Sequence, residues 1–231
     1  MKSIKLALVA AALTLSIGTF DAQAETPQTD AAFVEMMKDV PAEKVMEALE
    51  LYYQLHVSEL NLQYMNEQRT GAFFAMRRAQ QKGAGAIAKA EKRQKRVAAE
   101  REEVVEGNQA LRIKLEAVSG VEFLDDLVMI PDAPMTKPAA PVGAPADLIK
   151  AQTESWDALQ AAQAKWQDER LVLLDAQERY DADRSVPIGD HLRAMTAAEM
   201  AYAKAVGECR LIEAKIAIAT GKPIASALSG L

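Results

Sequence analysis

Apolar side chains recur at every seventh position along separate stretches of this chain. Val97, Val104, Leu111 and Val118 mark one stretch, and Leu159, Trp166, Leu173 and Tyr180 mark another. An earlier stretch has Tyr53, Val57, Leu60 and Tyr64 at alternating spacings of four and three, with Gln54, Asn61 and Gln68 on a polar face. The last carries Leu192, Met195, Tyr202, Val206, Cys209 and Ile216, beside a stripe of small residues at Ala194, Ala198, Ala201 and Ala205. A sevenfold repeat cannot be laid on a strand, whose side chains alternate every second residue. On a helix it makes one apolar seam that packs against another helix, knobs into holes. A stripe of small residues lets a second helix approach closely. The expected fold is all-α, built from long rods. Aromatic residues are only 5% of the chain, too few for a large round core.

The rods are divided by short breaks. Pro41 fits a helix start, because proline is tolerated in a first turn. Helical sequence then runs to about Gln81, is interrupted by Lys82-Gly83-Ala84-Gly85, and resumes from Ala86 to Val118 before the stop at Ser119-Gly120. A third run goes from Asp147, a candidate cap, to Asp183. Arg184 to Gly189 then interrupts the chain, with Pro187 unable to continue a helical ladder. A fourth run, Asp190 to Thr220, ends at Gly221 with Pro223 beyond. Each break is read as a tip where the chain reverses and two arms zip along their seams. Pro131, Pro134, Pro138, Pro141 and Pro145 are five of the nine prolines and form an extended connector. The expected architecture is two long antiparallel coiled-coil helical hairpins joined by a Pro-rich linker, with no β-barrel. The segments are a signal peptide (1–24), a lead (25–40), hairpin 1 (41–120), the connector (121–146), hairpin 2 (147–221) and a tail (222–231).

The first residues read as an export signal. Lys2 and Lys5 precede an apolar run from Leu6 to Ile17, and Ala22-Gln23-Ala24 offers small residues for cleavage before Glu25. The expected location is the periplasm, with or without association with the outer membrane. The run is short for a membrane span, and none is expected after cleavage. The single cysteine, Cys209, excludes an intramolecular disulfide. A net charge of −6 argues against bulk nucleic-acid binding.

The halves also register with one another. Laying Gly120 on Gly221 places Leu115 on Ile216, Leu111 on Ile212, Ile87 on Ile188 and Gly83 on Arg184. Arm, break, arm and Ser/Thr-Gly stop occur twice, as expected of a duplicated hairpin. In the second half Tyr180, Pro187, Asp190, Leu192 and the closing "AIATG" stand in the order of a known pattern. That pattern is an aromatic near a helix end, a turn, Ser/Thr or Pro, an Asp with Leu two residues on, and an alanine-rich helix closing at Gly. The first half offers the weaker "RRAQQKGAGAIAKA" and "LEAVSG", and the join between halves is "SGVEFLDDLVMIPDAPMTKP". Over roughly residues 42–221 the chain thereby resembles the TolC-type outer-membrane efflux proteins.

The resemblance implies a periplasmic helical tunnel, a homo-oligomer of trimeric habit, and tips that meet a periplasmic adaptor or an inner-membrane pump. Carried over by position, it points to Gly83, Gly85 and Ile87 at the first tip. At the second it points to Arg184, Ser185, Val186 and Asp190. The chain departs from the pattern where Arg184 replaces a turn glycine and Lys89 replaces the tip aspartate. It also lacks the alternating strands from which that family builds its membrane barrel.

Catalytic and metal chemistry find little support. His56 and His191 lie in different arms without a ligand-like acidic pair, so neither a metal nor another cofactor is expected. Cys209 sits on an apolar stripe, where a small core residue is the simpler reading. No pocket-building pattern accompanies any Ser, His and Asp set, so an enzyme is not expected. Lys89, Lys92, Arg93, Lys95, Arg96 and Arg101 form a basic run near the first tip, diluted by Glu91, Glu100, Glu102 and Glu103. It reads as a solvated face, or as a face toward an acidic partner or anionic lipid. A free-standing periplasmic coiled-coil chaperone or an envelope structural protein is the alternative to a transport component.

Overall fold

Pro41 stands immediately outside the first long helix, and its carbonyl accepts from the N–H groups of Lys44 and Val45, starting the ladder. The computed structural model describes residues 30–120, 133, 134, 136–139, 141–182 and 188–229. Among these every regular element is a helix. They are α1 (Asp30–Met36), α2 (Ala42–Ala79), α3 (Ala84–Ser119), α4 (Ala146–Ala182), α5 (Gly189–Ala219) and α6 (Ile224–Leu228). The export signal and most of the connector fall outside the described residues. The third helix starts one residue before Asp147, so that residue is not its cap. It lies in the first turn, where its negative charge still favours the helix N-terminus.

α2 packs along α3, α4 along α5, and the two pairs meet through α2 and α5. Neighbours run antiparallel. Arg112 on α3 pairs with Glu59 on α2, and Arg101 donates to Asn66 at 2.7 Å. Tyr53 on α2 lies against Gly207 on α5, while Tyr64 further along α2 meets Arg193 earlier on α5. Trp166 on α4 stacks flat on Tyr202 of α5, with ring centroids 5.3 Å apart. The spatial order is therefore α3–α2–α5–α4. No comparable packing joins α3 to α4, as it would in a closed four-helix bundle. The long helices form an open row.

The apolar seams account for these contacts. Val97 on α3, Leu159 and Leu173 on α4, and Val206, Cys209 and Ile216 on α5 are buried. The small-residue stripe of α5 is buried at Ala198 and Ala205, but Ala201 is exposed. It is turned away from the neighbouring helices, so that part of the expected stripe is corrected. Both descending helices end at a glycine of positive φ, Gly120 at 67° and Gly221 at 68°. Their lengths differ, at 36 residues for α3 and 31 for α5.

The core gathers at one end of the rods. Phe33 and Val34 of α1, with Met37 just beyond, pack with Leu49, Tyr52 and Tyr53 of α2, Leu115 of α3, Ala214 of α5 and Leu228 of α6. Phe33 and Tyr52 stack with centroids 4.8 Å apart. Burying each large side chain contributes about 1.5–3 kcal/mol, so this cluster dominates the apolar stabilisation. α1 also packs on α6, and α6 on α5, so segments near both ends of the chain close the base.

Candidate functional site: tips, edges and the buried base

The first tip is a tight reversal. After α2 the N–H of Lys82 donates to the carbonyl of Ala79 at 2.9 Å, and the chain turns at Gly83. Gly83 has φ 99° and ψ 176°, a conformation open to glycine and strained for a residue with Cβ. Its carbonyl receives the N–H groups of Ala86 and Ile87, so Gly83 caps α3 from outside. Gly85 and Ile87 lie in the first turn of α3. Gly85 is exposed and Ile87 half-buried.

At the second tip Arg184, Ser185 and Val186 lie outside the described residues. Asp190 lies in the first turn of α5, exposed, 3.5 Å from Arg193. Arg193 in turn donates to the Tyr64 hydroxyl at 3.3 Å. That hydrogen bond, with Asp190 adding to it, raises the Arg193 pKa above its ordinary value. The contact fixes the level of Asp190 relative to Gly83. Gly189 begins α5 close to Arg193, whereas α2 continues from Tyr64 to Ala79. At about 1.5 Å per residue, Asp190 stands roughly 20 Å short of Gly83. Gly83, Gly85 and Ile87 thus come together, and Asp190 does not join them.

On this projecting part of hairpin 1, Phe73 and Phe74 are each 50% exposed. Their rings meet edge to face at 5.8 Å, and the Arg77 guanidinium lies 5.6 Å from the Phe73 ring centre. With Asn66, Arg69, Thr70 and Gln94 they line a shallow open groove. Two adjacent aromatics follow no periodic pattern, so no sequence motif marks this pair. Exposed aliphatics also mark the two edges of the row, Ile113 on α3 at 58% and Leu171 on α4 at 65%.

The base holds a buried polar cluster that no motif announced. The Tyr53 hydroxyl donates to Asp30 at 2.9 Å. Arg210 lies 3.6 Å from the same Asp30 carboxylate and donates to Glu213 at 2.7 Å. Asp30, Arg210 and Glu213 are all buried. Burial, then the Asp30 charge, pushes the Tyr53 pKa well above its ordinary value. Burial alone would lower Arg210, but Glu213 and Asp30 outweigh it and hold the guanidinium charged. Burial raises Glu213 against the pull of Arg210, and burial with Glu213 raises the Cys209 thiol. Cys209 is buried and kept protonated, the opposite of an activated nucleophile. The cluster ties α1 to α2 and α5, and Tyr53 also lines an open groove with Glu50, Val57, Lys204 and Leu211. Among the described residues no group of His, Cys, Asp and Glu is arranged to hold a metal, and no helix is long and apolar enough to cross a membrane.

No protein-family model matches the chain, and no curated protein or solved structure is found similar to it.

Proposed function

We propose that this chain is a periplasmic helical-tunnel component that acts in export or efflux. Copies of it would close edge to edge and dock through their hairpin tips to an adaptor or pump, as the resemblance to TolC-type proteins implies. The observation that carries this reading is the open row α3–α2–α5–α4. Among the described residues no helix packs on the outer sides of its two edge helices, and each edge helix bears an exposed aliphatic, Ile113 and Leu171. Packing α3 of one copy on α4 of the next would be a head-to-tail contact, which closes into a ring where the rotation between copies permits. The paired glycines at 120 and 221 support reading the two helix pairs as a duplicated coiled-coil hairpin.

The mass of the protein after removal of residues 1–24 tests assembly, and Ile113→Lys and Leu171→Lys test the edges. The expected result is an oligomer that both substitutions weaken. Photocrosslinkers at Gly85 and Ser185 should capture a periplasmic adaptor or pump. A strict monomer that yields no tip crosslink would remove the reading. The closed base favours a second reading, a free-standing chaperone or envelope spacer, because α1 and α6 already complete that end within one copy. Capture of unfolded clients by the monomer would select it.

A further inference from the structure

We infer that the first tip is a membrane-surface anchor that seats on anionic phospholipid. The first observation is the charge distribution. Residues 69–96 contain nine Lys or Arg against Glu91 alone, a local charge of +8 in a chain whose total is −6. All nine basic residues are exposed. They lie on α2 (Arg69, Arg77, Arg78), in the turn (Lys82), and along α3 from Lys89 onward. They are spread over both helices of the pair and the turn between them.

The second observation is the Phe73–Phe74 pair, half-exposed on the same segment with Arg77 over one ring. Cations that keep their heads in the polar layer, with aromatic rings seated below them, are the makeup of an interfacial anchor. The third is reach. α2 continues well past the level of Asp190, so the tip can meet a flat surface before the start of α5 does. A folded acidic partner would be matched by charge on one face. Basic residues on both helices and in the turn suit a fluid anionic plane, met with the hairpin tilted so that the Phe73–Phe74 pair, about 15 Å behind Gly83, also reaches it. This deepens the proposed function by naming what the first tip touches, but it does not require assembly.

The test is flotation of the full chain, freed of residues 1–24, with vesicles of phosphatidylcholine alone or with roughly one third phosphatidylglycerol. Binding is expected only to the anionic vesicles, and it should weaken as salt rises. The double variant Phe73→Ser, Phe74→Ser and, separately, Arg78→Glu with Lys92→Glu should each reduce it about tenfold or more. Reversal of Lys150 and Lys165 on α4 should leave it unchanged. Circular dichroism checks that each variant remains helical. In Phe73→Trp, added fluorescence should be quenched by brominated acyl chains, which places the ring below the headgroups.

Equal binding to neutral vesicles, no binding to anionic ones, or binding indifferent to the Phe pair would each overturn the anchor. So would tip-dependent capture of an acidic protein in place of lipid. Oligomer mass, measured on the same samples, reports separately on the tunnel reading. An oligomer that ignores vesicles loses the anchor alone, and a monomer that binds them loses the tunnel alone.

Discussion

Gly207 on α5 and Tyr53 on α2 approach so closely that a Cβ on Gly207 would lie 2.8 Å from both Cβ and Cγ of Tyr53. Those Tyr53 atoms are next to the backbone and cannot swing away. The absence of a side chain at 207 therefore sets the distance between α2 and α5. It also places Tyr53 where its hydroxyl reaches Asp30.

Gly207→Ala should thus be destabilising by about 1–3 kcal/mol, the range for overpacking, although alanine is the better helix former. Gly107, mid-helix on α3, is the control, since a Cβ there meets nothing within 4 Å. Gly107→Ala should stabilise by up to about 1 kcal/mol through helix propensity. Urea unfolding of both variants checks the sign; a stabilising Gly207→Ala would remove the close-approach argument.

Asp30 holds α1 in place through Tyr53 and Arg210. Asp30→Ala takes one carboxylate away from the buried Arg210 guanidinium, and is expected to cost about 3 kcal/mol or more. Tyr53→Phe should cost about 1 kcal/mol. A double-mutant cycle should give non-additive losses, because the two groups share one hydrogen bond. Limited proteolysis near Val40 should accelerate in Asp30→Ala as α1 detaches. Additive losses with unchanged cleavage would show that the contact does not couple α1 to the rods.

Glu67 on α2 and Glu199 on α5 both have their carboxyl pKa raised above the ordinary 4.5. In each case burial is the leading cause, and at Glu67 the Glu199 charge adds to it. A folded pKa above the unfolded one means that folding favours the protonated form. The stabilising contribution is present below the ordinary carboxylate range and is lost as pH rises through the raised value. Glu199→Gln should therefore raise Tm modestly at about pH 7 and leave it nearly unchanged at about pH 3. Thermal unfolding across that range checks the trend, and a larger benefit at acid pH would contradict it.

Asn108 is buried on the side of α3 that faces α2, between seam residues Val104 and Leu111. Its amide N and O have no hydrogen-bond partner among the described residues. A polar residue at a seam position fixes register at a cost in stability. Asn108→Leu should stabilise by about 1 kcal/mol. Spin labels at Asn66 and Arg101 should then report a broader spread of distances between α2 and α3. A destabilised variant with an unchanged distance distribution would show that the amide is satisfied and indifferent to register.

The helical character, the break at Gly83 and the seams at Val97, Leu159, Leu173 and Val206 were legible in the sequence, because each is local. A sevenfold repeat identifies a helix and its buried side from spacing alone. Pro41, Gly83, Gly120 and Gly221 act through the backbone angles they permit or forbid at their own positions. The order α3–α2–α5–α4, the offset between Gly83 and Asp190, the exposed Phe73–Phe74 pair and the cluster of Asp30, Tyr53, Arg210 and Glu213 depended on the tertiary structure. A repeat says that a helix has a partner and not which one. Asp30 and Arg210 become neighbours only when close packing at Gly207 brings distant segments within a few ångströms.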